Sequence, residues 1–220
     1  MKKVLLVILA GMFTIGSAYA QPSFTVGLGF NKGVFAAEGR EENFDESGSL
    51  KTVTEEYGAF EDSYASIYVE VGNEVGSIGL AYQDDVSTPT NVNESNGDDG
   101  GTTTATSTVS ADFSGVLTLY GLVNLPMNTY LKAGIVQGDI AIGETQRSGN
   151  TYKDQDLEGY VLGFGYQHAL DAANVRFELL GHTYDDVESN NGVATTGNHN
   201  KVRVSNMIGA NAQISVNRSF

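Results

Sequence analysis

Residues 202–220 alternate between apolar and polar positions along their whole length. Ile208, Ile214 and Val216 are among the apolar side chains at even positions, while the odd positions are mostly polar. A helix needs apolar residues at a spacing near 3.6, so a period of two predicts a β-strand. Strands of water-soluble sheets usually span about 3–10 residues, whereas strands with one face toward lipid and one toward a lumen are longer. We therefore interpret this segment as a membrane-spanning strand.

The same period occurs in seven earlier segments, which predicts eight strands. Short turns follow the second, fourth and sixth strands, while long polar segments follow the others, at residues 39–56, 83–107, 144–156 and 185–200. Bacterial outer-membrane barrels show this asymmetry, with short periplasmic turns and long extracellular loops. The prediction is an all-β, eight-stranded antiparallel up-and-down transmembrane β-barrel. Alternation does not show which face is inside, so a soluble lipocalin-type barrel or a sandwich is the alternative.

The first twenty residues have the features of a secretory signal peptide. Lys2 and Lys3 precede a short apolar run, and Ala18, Tyr19 and Ala20 form a small-x-small cleavage site. We predict a cleaved signal peptide at residues 1–20 and an outer-membrane β-barrel domain at residues 21–220. The predicted location is the bacterial cell outer membrane, in which the protein is integral.

Composition excludes several classes of function. Removal of the signal peptide takes the formal net charge from −15 to −17, which excludes a phosphate-neutralising surface for nucleic acid. The chain has 0 Cys, so thiol chemistry and disulfides are excluded, and a barrel with a closed hydrogen-bond ladder needs neither. Many of its 27 Gly lie inside the alternating runs, which indicates tight space or strong bending there.

The chain resembles the small eight-stranded outer-membrane barrels, namely the opacity-protein group and the membrane domain of outer-membrane protein A. The resemblance covers nearly the whole predicted mature chain as a pattern, and its most specific part is the strand that ends at Phe220. In that family the final strand is the signal for the barrel-assembly machinery, which implies this role for Ile214, Val216 and Phe220. Arg218 departs from the pattern, because an apolar or aromatic residue is usual at that position.

The alternation assigns four charged side chains to the lumen. All four lie near the end of the barrel that carries the short periplasmic turns. Glu70 is on the second strand, and Lys132, Arg176 and Glu178 are on the fifth and seventh strands. Opposite charges at one depth are expected to pair, because an unpaired buried charge is costly. We predict that these groups form an internal plug; scattered, partly hydrated charges are the alternative. Asp112 and His182 lie higher and extend the predicted cluster.

Outside this cluster, the sequence has no pattern that indicates a catalytic or metal-binding site. The three histidines, His168, His182 and His199, lack the neighbours of a catalytic triad and the spacing of metal ligands. We therefore expect no enzymatic activity, no metal and no cofactor.

Three functions are compatible with the pattern. The first is a non-enzymatic barrel with a structural or surface-interaction role and a side-chain-filled lumen. The second is a narrow porin-like channel, or a conduit for small or apolar solutes, and the third is a lipid-modifying enzyme. The expected partners are outer-membrane lipid and lipopolysaccharide together with the assembly machinery, and we expect a monomer.

Overall fold

A computed structural model describes residues 22–45, 47–88, 91–96, 104–145, 152–192 and 199–220. The predicted signal peptide lies outside these ranges. Within these ranges the chain forms eleven strands and a short 3-10 turn at Pro126–Asn128. The strands are β1 (Ser23–Phe44), β2 (Leu50–Gly72), β3 (Gly76–Gln83), β4 (Val86–Ser87), β5 (Asn91–Asn96), β6 (Thr104–Asn124), β7 (Thr129–Thr145), β8 (Gln155–Ala169), β9 (Asn174–Tyr184), β10 (Val187–Asn190) and β11 (Asn200–Ser219).

Eight of the strands form a closed antiparallel ring in the order β1-β2-β3-β6-β7-β8-β9-β11. The ring closes between its two ends, where Thr25 pairs with Ser219 and the ladder continues to Asn43 and Asn200, with a shift of register between Ala36 and Glu38. The three short strands, β4, β5 and β10, pair with β6 and β11 at the end of the barrel that carries the long loops. The predicted eight-stranded antiparallel barrel is therefore confirmed. No helix in the described ranges is long and apolar enough to cross a membrane.

The two faces of the barrel wall differ in the way that a membrane requires. Large apolar side chains are exposed on the outside, and polar side chains such as Asn31 and Gln213 are buried inside. This is the inverse of a water-soluble barrel, so the lipocalin-type alternative is wrong. Several aromatic residues on the outside lie toward the two ends of the apolar band, as interfacial side chains do. They include Phe24, Tyr166 and Phe220 toward the turn end and Tyr82 and Tyr160 toward the loop end.

The strands extend further on the loop side than the hydrophobic pattern predicted. Residues 39–56, expected as a polar loop, lie largely within β1 and β2, which pair from Ser23 and Gly72 to Phe44 and Leu50. Asp45 closes this hairpin, because its Oδ1 accepts hydrogen bonds from the amides of Ser47 and Ser49 and from the Ser47 hydroxyl. These bonds, that of the Ser47 hydroxyl above all, lower the pKa of Asp45.

An irregularity in β6 changes which residues face inward. The register between β6 and β7 shifts between Ser114 and Leu117, and Gly115 adopts a positive φ of 61° there. The apolar positions of the sequence change phase between Ile135 and Ile140, which predicts a bulge in β7 near Gln137 and Gly138 instead. This prediction is wrong, because β7 pairs with β8 without a shift through this region. Because a bulge inserts one residue, it reverses the faces of the strand beyond it. Phe113 consequently points into the barrel.

Candidate functional site: the filled lumen

An ion pair crosses the lumen at its turn end. Arg176 on β9 donates through Nη1 and Nη2 to the two carboxylate oxygens of Glu70 on β2, at 2.6 and 2.9 Å. Both residues are buried, with 8% and 3% of their surfaces exposed. The parallel geometry of two N–H donors and two oxygens is the strongest form of this contact. It also leaves neither charge without a partner, which matters because an uncompensated buried charge is strongly destabilising.

A second ion pair lies beside the first. Lys132 Nζ on β7 is 3.3 Å from each carboxylate oxygen of Glu178 on β9. Its ammonium group also lies 4.1 Å from the ring centroid of Tyr120, and the Tyr120 hydroxyl donates to Glu70 Oε1 at 2.8 Å. Tyr120 therefore links the two pairs into one network, which we call the ionic layer: Glu70, Lys132, Arg176 and Glu178 with Tyr68, Tyr120 and Tyr130.

Three tyrosine rings of the ionic layer lie flat against glycines on adjacent strands. Tyr68 covers Gly27, Tyr120 covers Gly79, and Tyr130 covers Gly165. A Cβ at any of these glycines would lie far inside van der Waals contact with the ring. The absence of a side chain thus lets the wall accept a large ring inside a narrow barrel.

A row of amides lies above the ionic layer. His182 Nε2 contacts Asn211 Oδ1 at 2.6 Å, Asn211 Nδ2 donates to Asn31 Oδ1 at 2.9 Å, and Asn31 Nδ2 donates to Ser66 Oγ at 3.1 Å. Because the Asn211 amide nitrogen faces Asn31, the Asn211 oxygen faces His182. That oxygen can only accept, so His182 donates the hydrogen bond from Nε2. A cavity of about 30 Å³ adjoins this row. That volume accommodates one or two waters and no larger solute.

Aromatic and aliphatic side chains close the loop end of the lumen. The rings of Phe35 and Phe60 stack at 5.4 Å between centroids, and those of Phe60 and Phe113 at 6.5 Å. Two clusters of buried aliphatic side chains pack against Phe113. We call this set the apolar layer: Phe35, Phe60, Phe113, Val116, Val136, Ile140, Leu157, Val161, Leu180, Val187 and Met207.

The structure brings together the four charged residues singled out in the sequence. Glu70, Lys132, Arg176 and Glu178 all lie in the ionic layer, and His182 lies above them in the amide row. The expected lumen position of Asp112 is wrong. Its side chain is exposed on the outer face, because the bulge at Gly115 reverses this part of β6.

The predicted assembly signal occupies the closing strand. Ile214 and Val216 on β11 point outward and are half exposed, and Phe220 is largely exposed. The backbones of Phe220 and Phe24 exchange hydrogen bonds of 2.8 and 3.2 Å at the turn end of the barrel. Arg218 lies over the Phe220 ring, 5.3 Å from its centroid, which places the unusual cation beside the terminal aromatic.

Several lumen residues were not singled out in the sequence. The tyrosines of the ionic layer and the amides Asn31 and Asn211 lie at inward positions of the alternation, so their spacing identifies their face without identifying their partners. The apolar layer had a weaker signal, namely adjacent apolar residues such as Val161 and Leu162, of which one is buried and the other exposed. Adjacent apolar residues of this kind indicate a strand that is covered on both faces.

The described side chains of the lumen are arranged to fill and stabilise the barrel. No group of three or more His, Asp or Glu side chains that could hold a metal ion occurs within the described residues. The acids and bases of the ionic layer are consumed by one another, so the layer presents no unpaired carboxylate as a general base. Its geometry fits a partition across the barrel.

Comparison with solved structures identifies the class of fold. The outer membrane protein OprG from Pseudomonas aeruginosa superposes with a TM-score of 0.56 at 13% identity, over 92% of this chain and 97% of that one. The outer membrane protease OmpT from Escherichia coli gives 0.42 at 7% identity, over 89% and 97% of the two chains. Ail of Yersinia pestis, in complex with a heparin analogue, gives 0.40 at 6%, over 87% and 99%. The superposition on OprG, together with the closed ring of eight strands, shows that the chain has the fold of the small outer-membrane β-barrels. A scan of protein-family models finds no match, and neither does a search of curated proteins.

Proposed function

We propose that the protein is a non-enzymatic barrel of the bacterial outer membrane whose lumen is closed and whose role is structural or surface-interacting. The supporting observation is that the lumen is crossed twice, by the ionic layer and by the apolar layer. Between them lies a cavity of about 30 Å³, too small for a solute. In this proposal the exposed apolar band contacts lipid and lipopolysaccharide, and the closing strand is the part read by the assembly machinery.

The loop end of the barrel also supports a second candidate function. The upper lumen is lined by apolar and aromatic side chains rather than by the polar groups that line a water-filled pore. Such a lining fits a conduit for a small apolar solute better than an ion channel. Passage along this route requires the stacked rings of Phe35, Phe60 and Phe113 to separate.

Electrical recording in planar lipid bilayers tests the closed lumen. We expect no stable single-channel steps from the folded protein, because the paired side chains of the ionic layer and the packed side chains of the apolar layer both cross the lumen. A general porin in the same bilayer provides the positive control. Reproducible steps from the wild-type protein would contradict the proposal.

The second candidate is tested by transfer of an apolar fluorophore into protein-containing vesicles. Vesicles that contain the closed barrel are expected to take up the probe at the rate of protein-free vesicles. Faster uptake without ionic conductance would favour the conduit over the closed barrel.

A further inference from the structure

The barrel wall has an open edge above the membrane band. β2 pairs with β3 from Gly72 only as far as Ser66, where its partner is Gln83. From Ser66 to Leu50, β2 forms a strand ladder only with β1 among the described residues. β4 and β5, which follow β3 in the chain, both pair with β6 instead. A seam consequently separates β2 from β4 and β5.

The orientation of the backbone along this edge follows from one hydrogen bond. The Asp84 amide donates to the Ala65 carbonyl oxygen at 2.9 Å, so Ala65 directs its backbone groups toward the seam. In a β-strand successive residues direct these groups to opposite sides, and no register shift interrupts β2 in this region. The N–H and C=O groups of Val53, Tyr57, Ala59, Glu61 and Ser63 therefore also face the seam.

A local contact at Ser63 agrees with this orientation. The Ser63 amide donates to the carboxylate of the adjacent Asp62 at 2.6 Å rather than to a strand. The side chains along this edge are largely exposed, and Tyr57 has 81% of its surface accessible. A long strand with one unpaired side is a template for another strand.

The charge on both sides of the seam restricts what can pair there. Among the described residues, 38–45 and 47–63 contain eight acidic and two basic side chains, and 84–88, 91–96 and 104–112 contain four acidic side chains and no basic one. One of the bases, Arg40, is already paired with Glu42 and Glu55 at 2.9 and 2.6 Å. A second copy of the same acidic edge would be repelled, whereas a cationic strand would be attracted.

We propose that the seam-facing edge of β2, from Val53 to Ser63, binds an extended cationic peptide segment of a partner protein by strand addition. The backbone of β2 supplies the hydrogen bonds, and the surrounding carboxylates select lysine and arginine side chains. This inference deepens the surface-interaction role proposed above. Peptide binding and conductance are separate measurements, so failure of the peptide experiment leaves the closed lumen standing.

The test uses the full-length protein folded in detergent micelles and a fluorescent peptide of alternating lysine and valine. Fluorescence anisotropy measures its affinity for the wild type and for Ala59→Pro, which removes one seam-facing N–H and leaves the ladder to β1 intact. Ala59→Thr is the matched control, because it retains the N–H and favours a strand. We expect the proline variant to bind about tenfold more weakly or worse, and the threonine variant to bind like the wild type.

Tyr57→Pro is the second variant in case Ala59→Pro does not fold, and a shift of gel position on boiling reports folding of each. A peptide with glutamate in place of lysine, and a lysine peptide interrupted by proline, are both expected to bind much more weakly. Equal binding of the lysine peptide to the proline and threonine variants would overturn strand addition. Equal binding of the glutamate peptide would overturn the cationic preference, and self-association through the edge without peptide would identify a second copy as the occupant.

Discussion

The turn end and the loop end of the lumen are both occupied by side chains, but of opposite chemistry. At the turn end, four charged groups from three strands meet in pairs, and each needs its own partner at a fixed distance. At the loop end, rings and aliphatic side chains fill the space without directional contacts. Apolar side chains of suitable size and shape are enough to pack the apolar layer. The ionic layer also requires a specific partner for every buried charge.

The difference predicts how each layer responds to a change. Removing one member of the ionic layer leaves a charge buried without compensation, so a single substitution has a large effect. Removing a methylene group from the apolar layer loses only transfer and packing energy. The ionic layer is therefore expected to be fragile toward single changes and the apolar layer tolerant of them.

Arg176→Leu is expected to have the largest effect. It leaves the Glu70 carboxylate buried with only the Tyr120 hydroxyl as a donor, which should lower the free energy of unfolding by about 3–5 kcal/mol. Urea titration of the protein in micelles, followed by the gel shift of the folded form, measures this loss. The double variant Arg176→Leu with Glu70→Leu is the control and should recover most of the stability. An unchanged unfolding midpoint in Arg176→Leu would show that the pair is not important for stability.

The part of the fold that could be predicted from sequence is the part where one face meets lipid. In β11 the structure follows the period of two from Met207 to the end of the strand. Nearer the loops, the register with β1 shifts beside Asn206, which has a φ of 52°, and Val204 packs inward against the apolar layer. In the hairpin of β1 and β2 above the band, both faces are accessible and the sequence has no apolar period. Residues 39–56 consequently suggested a loop, although residues 39–44 and 50–56 belong to the paired strands β1 and β2.

The sequence predicted that the charged site residues face the lumen at a similar depth, but it did not predict which of them pair. The inward positions of Glu70 and Arg176 follow from alternation, but their pairing depends on the stagger of strands that are distant in the ring. The bulge at Gly115 could not be located, because a shift of one residue leaves the composition of β6 unchanged while exchanging its faces. For this reason Asp112 was assigned to the wrong face.

Gly79→Ala tests whether the tyrosines of the ionic layer depend on the glycines beneath them. The added methyl group would collide with the Tyr120 ring and displace its hydroxyl from Glu70, so we expect a loss of about 1–3 kcal/mol. Gly181→Ala is the matched control, since its nearest neighbour would be the Leu162 carbonyl oxygen at 3.9 Å, an ordinary contact. The same urea titration compares the two variants. Equal losses would mean that glycine serves strand geometry here rather than ring packing.

Ile140→Val addresses the apolar layer and should have the smallest effect. Ile140 is fully buried among Leu157, Val187 and Met207, so the shorter side chain removes one methylene from a packed cluster. Such changes lower stability by about 0.5–1.5 kcal/mol. Because no charge loses a partner, the loss should be the same at low and high salt, as measured by urea titration at both. A loss as large as that of Arg176→Leu would remove the distinction between the two layers, since it would show that filling the loop end also depends on one specific side chain.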